Sequence, residues 1–122
     1  MSVPKYLKFY QAIPQDPFKL GKWDCFLLAQ WVRNYYNKKR LPKGNYRKCV
    51  KTQLQTLLKK VEIPKHLDIV CLVNPNEPGN NKQYNIGTYL NFGDLEGILY
   101  IADKAKIEKL ENLLIDSYYR HE

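Results

Sequence analysis

Hydrophobic and polar positions alternate most regularly between Cys25 and Tyr36, where residues 25, 28, 29, 32, 35 and 36 are all apolar or aromatic. This i, i+3, i+4, i+7 spacing predicts an amphipathic helix with one core-facing stripe. Gly21 permits a sharp entry, and Asp24 is a good N-cap whose carboxylate can accept an orphan backbone N–H. Lys5 to Ala12 fits one short helix that Pro14 stops, followed by an ordered loop over 13–21. Residues 37–44 read as a basic turn region punctuated by Pro42 and Gly44. Residues 46–60 repeat the helical period with Tyr46, Cys49, Val50, Leu54, Leu57 and Leu58 on the apolar side, which places Cys49 in the core.

After Pro64 the period changes. Residues 67–73 form a continuous β-branched and apolar run, as in a strand buried on both faces. A turn cluster over 74–81 leads to a second strand, Tyr84 to Asn91, and residues 91–94 turn the chain into a third over 97–102. Such turns imply antiparallel neighbours. Residues 104–116 fit a final helix with Ile107, Leu110, Leu113 and Leu114 on one face, which leaves Tyr118-Tyr119-Arg120 as a tail. The fold class expected is α+β. N-terminal helices, including the Cys25 helix, pack on a small antiparallel sheet in a single domain covering residues 1–122.

Charge adds a candidate partner. The net charge is +8, from 20 Lys and Arg against 12 Asp and Glu, and the excess gathers around Lys38, Lys39, Arg40, Arg47, Lys48 and Lys51. Such a patch attracts polyanions: nucleic acid, an anionic cell-wall polymer or an acidic partner protein. No apolar run approaches the roughly 18 residues of a membrane span, and no segment has the pattern of a signal peptide. The three cysteines, Cys25, Cys49 and Cys71, lack C-x-x-C spacing, so reduced thiols are expected, with no metal site and no cofactor.

The candidate chemistry sits at Cys25. A thiol at a helix N-terminus feels the positive end of the macrodipole, which favours the nucleophilic thiolate. The same helix end offers free N–H groups beside the sulfur that could hold a tetrahedral oxyanion.

Three motifs carry a resemblance: Trp23-Asp24-Cys25-Phe26-Leu27-Leu28-Ala29, then Pro64 with Asp68-Ile69-Val70, then Asn85-Ile86-Gly87-Thr88-Tyr89-Leu90. In this order they resemble the NlpC-type papain-like cysteine peptidases, closest in layout to short forms encoded in phage tail gene clusters. The ending Tyr118-Tyr119-Arg120 is similar to the aromatic-aromatic-Arg ending of those forms. The resemblance implies a papain-like fold with Cys25 as nucleophile, and it sets Asn85 where the family has its general-base histidine. An amide has no titratable nitrogen near neutral pH, so Asn85 can neither take the thiol proton nor protonate a leaving amine. The strand after it, where the family keeps a polar residue to orient the histidine, offers only Tyr100 or the following Asp103. The family's serine after the cysteine is replaced by Phe26.

The function this implies is a phage-tail-type cell-wall peptidase or amidase homologue, impaired in catalysis, with a structural or binding role among tail proteins or on peptidoglycan. Its location would be the virion tail or the host cytoplasm. Two alternatives stand beside it: an active Cys25-dependent peptidoglycan hydrolase whose base is another residue, His66 or His121, and a small basic protein that binds nucleic acid or an acidic protein.

Overall fold

In the computed structural model the described residues are 5–19, 22–44, 49–73 and 84–121. Among these residues three helices precede most of the sheet: α1 (Lys5–Ala12), α2 (Cys25–Tyr35) and α3 (Val50–Leu57). Six strands follow: β1 (Lys59–Val61), β2 (Ile69–Val73), β3 (Tyr84–Asn91), β4 (Glu96–Ile101), β5 (Ala105–Glu108) and β6 (Ile115–Arg120). They form one sheet in the order β1-β6-β2-β3-β4-β5, with every pair antiparallel. The fold class is α+β.

An isolated helix of 11 residues is marginal in water, so α2 owes its stability to packing. Leu28, Ala29 and Val32 are buried, and the helix lies on β3 and β4. Its C-terminus closes by a Schellman pattern: Lys38 N–H donates to Arg33 O at 2.8 Å and Asn37 N–H to Asn34 O at 3.1 Å, with Asn37 in the left-handed region at φ 54°. The helical face of the sheet contributes Ile69, Cys71, Ile86, Leu90, Leu99 and Tyr119 to a core shared with all three helices. The opposite face buries Val70, Leu72, Tyr89 and Ile98 beneath Leu110, Leu113 and Tyr118. Gly87 is required where β3 meets β4, because a Cβ there would come within 2.5 Å of the Ile98 side chain.

Several expectations are corrected. The second helix is shorter than 46–60: it spans Val50–Leu57, Leu58 turns extended, and Lys59–Val61 pair with Tyr118–Arg120 as an edge strand. Residues 45–48 lie outside the described residues, as do 20–21 with Gly21 and 74–83 with the turn cluster. Cys49 is not in the core: it is exposed at the N-cap of α3, one residue before the apolar stripe begins. Residues 104–116 are not a helix. They form β5, a single 3-10 turn (Leu110–Asn112) and the start of β6. The three-to-four spacing of Ile107, Leu110 and Leu113 matches a helix by coincidence, since these residues pack onto two different faces of the sheet. The expected tail is therefore an interior strand, β6, flanked by β1 and β2. A register shift opposite Cys71 and Leu72 makes Asp116 an extra residue in β6, and its carboxylate meets Lys51 of α3 at 3.1 Å.

Candidate active site

The N-terminus of α2 is built as its sequence predicts. Asp24 accepts from the N–H groups of Phe26 (3.1 Å) and Leu27 (3.2 Å) and is itself 5% exposed. That cap takes two of the first-turn donors an oxyanion hole could have used, those of Phe26 and Leu27.

The Cys25 side chain is 1% exposed. Burial pushes its thiol up to about 12, aided by the nearby negative charge of Asp24 and opposed by the backbone N–H groups of Ile86 and Phe26. The expected macrodipole activation is thus overturned: desolvation of the thiolate outweighs the helix terminus. At neutral pH this is a protonated thiol.

Cys25 and Asn85 meet around one peptide group. The Ile86 N–H that points at the sulfur also donates to Asn85 Oδ1 at 2.8 Å. Asn85 Nδ2 donates to the carbonyl of Ile101 at 3.3 Å. Alternation along β3 puts Ile86 on the helical face with Cys25 and Asn85 on the other. Neither Tyr100 nor Asp103 orients it. The Tyr100 ring lies beneath Lys106 Nζ, and Asp103 engages the Phe18 N–H through its carbonyl.

Both imidazoles are engaged elsewhere. His66 Nδ1 accepts from Asn91 N–H at 2.9 Å, with its ring edge-on to Tyr36 and Phe92. His121 Nε2 lies 3.0 Å from Arg40 O. Asp68 and Arg120, two residues of the matched motifs, form a bidentate pair: Nε to Oδ1 at 2.9 Å and a terminal guanidinium nitrogen to Oδ2 at 2.7 Å. Asp68 Oδ2 also accepts from Lys65 N–H at 2.7 Å, so the pair ties the turn after Pro64 to the end of β6.

The thiol that sequence reasoning passed over is Cys49. It is exposed, and its pKa is lowered by the Thr52 side chain and the Thr52 and Lys51 backbone, against a small desolvation cost. The signal was the N-cap position three residues before Thr52. Among the described residues no group of three or more His, Cys, Asp and Glu gathers to hold a metal, and no helix is long and apolar enough to cross a membrane. Of the proposed polyanion patch, Lys38, Lys39 and Arg40 are exposed, Lys51 is bonded to Asp116, and Arg47 and Lys48 lie outside the described residues.

Comparison with protein-family models, curated proteins and solved structures finds no match.

Proposed function

We propose that this chain is a non-hydrolytic homologue of the NlpC-type cysteine peptidases, of the phage-tail form, serving as a structural or binding part among tail proteins or on peptidoglycan. One observation carries the reading. The cysteine at the nucleophile position is a buried, protonated thiol, and the residue at the base position is an amide held by Ile86 and Ile101. Supporting it are a cysteine helix packed on an antiparallel sheet, with Asp68 and Arg120 of the matched motifs joined as a pair.

Acyl transfer at Cys25 would lack proton removal from the thiol and proton donation to the leaving amine. General acid–base catalysis is typically worth about 10²–10⁴-fold, so turnover on cell-wall peptides is expected to be absent or very slow. The test is to incubate purified peptidoglycan with the native chain, with Asn85→His and with Cys25→Ser. No released peptide from the native chain supports the reading, and none is expected from Asn85→His either, because position 85 lies on the face of β3 away from the buried Cys25 thiol. Robust release by the native chain that Cys25→Ser abolishes contradicts it.

A further inference from the structure

The positive charge of this protein is segregated. Residues 1–48 carry eleven Lys and Arg against two Asp, whereas residues 49–122 carry nine against ten Asp and Glu. The net charge therefore belongs to the N-terminal part that supplies α1, α2 and the segment after them. That segment is held in place. Asn37 reverses the chain, Lys39 O accepts from Arg33 Nε at 2.9 Å, and Leu41 N–H donates to Gln30 Oε1 at 2.9 Å. Gly44 then lies against the Phe26 ring so closely that a Cβ would collide with it. Residues 38–44 thus run back along one flank of α2 as a basic ribbon, with Lys38, Lys39, Arg40 and Lys43 exposed and none of them in an ion pair among the described residues.

The other flank of α2 is aromatic. Phe9 of α1 is buried against Trp31 (5.7 Å between ring centroids) and Tyr35 (5.2 Å), and Tyr35 packs on Trp31 at 5.4 Å. The bank is not closed over, since Tyr35 is 42% exposed; Tyr10, the residue after Phe9 on the same helical layer, is 58% exposed. One helix about 10–12 Å across therefore separates a row of free cations from a bank of open rings.

We propose that this outer surface of the helical layer binds single-stranded nucleic acid, with phosphates along the ribbon and bases stacked on Tyr35 and Tyr10. The pairing of a cationic track with sequence-tolerant stacking platforms is the general solution for unpaired strands. A duplex keeps its base faces inside the stack, so it would use the cations and leave the rings idle. A second copy of this chain is disfavoured, because the same basic layer would meet itself. The proposal is independent of the chemistry at Cys25.

Fluorescence anisotropy with a labelled thymidine oligonucleotide of about 20 nucleotides tests it on the full chain. If about four phosphates are neutralised, affinity weakens about fifty-fold between about 50 and 200 mM salt, and Lys39→Glu flattens the logarithmic salt slope by about 0.7. Tyr35→Ala and Tyr10→Ala each weaken binding about 5- to 140-fold. Tyr10 is the safer probe because it is mostly exposed, and circular dichroism of each variant checks that it is folded. Absence of binding at low salt overturns the proposal. So does equal binding of polyglutamate with no effect of either tyrosine substitution, which would assign the surface to an acidic protein.

Discussion

Leu67 holds a backbone angle that its own side chain opposes, with φ at 78°. The left-handed region costs an L-residue with a Cβ roughly 1–2 kcal/mol and costs glycine almost nothing. The conformation is kept because Leu67 N–H donates to Tyr89 O at 2.7 Å and the side chain is buried, while the next residue, Asp68, must face Arg120. Leu67→Ala and Leu67→Gly both lose the buried side chain, but only the glycine relieves the strain. Denaturant unfolding should find the glycine variant more stable than the alanine one by about 1 kcal/mol; the reverse order would show that φ carries no strain. One residue earlier, burial and then the charge of Lys38 hold the His66 pKa below its ordinary value. Its neutral form is favoured in the folded state, so its stabilising contribution is complete above the unfolded value of about 6.5 and is lost as pH falls through the lower folded value. Protonation at Nδ1 also displaces the Asn91 N–H. The wild type should therefore lose more stability than His66→Gln between about pH 7 and 5; parallel curves would contradict this.

Among the elements, β6 departs most from its reading as a tail. Arg120 at its end neutralises a carboxylate that is 5% exposed, so Arg120→Ala strands a buried charge. A fully buried pair broken this way costs about 3–5 kcal/mol, and the partial exposure of Arg120 reduces that to about 2–4 kcal/mol. A loss below about 0.5 kcal/mol in urea unfolding would mean that the pair is a solvated contact. The elements readable from sequence were those whose signals are local. α1 ends before Pro14, α2 has its cap and its stripe, and β3 is a β-branched and aromatic run, so all three matched in type and bounds. Strands β1 and β6 were missed because what fixes them is distant: Lys59 faces Arg120, a partner that no local window contains. Lys59 and Lys60 also extend a helical pattern that Leu58 breaks, and β5, a hairpin partner of β4 with Ile101 facing Ala105, was hidden by the helical spacing of Ile107, Leu110 and Leu113.

At the scale of the whole molecule, helices and sheet bury Cys25 between them, and that placement decides its chemistry. The sequence located the thiol, its Asp24 cap and its neighbour Asn85, because each belongs to a local motif. It could not give the sign of the pKa shift. The dipole that lowers it is written in α2, whereas the burial that raises it comes from β3 and β4. The exposed Cys49 reverses the expected ranking of thiols for the same reason, since burial is a property of the assembled fold. The direct measurement is alkylation of the native protein by iodoacetamide across pH 6–9, with the modified cysteine located by peptide mass spectrometry. Rapid modification of Cys49 alone is expected, with Cys25 and Cys71, both pushed up to about 12, reacting only after unfolding. Modification of native Cys25 at neutral pH, as fast as or faster than Cys49, would contradict it and restore a working nucleophile.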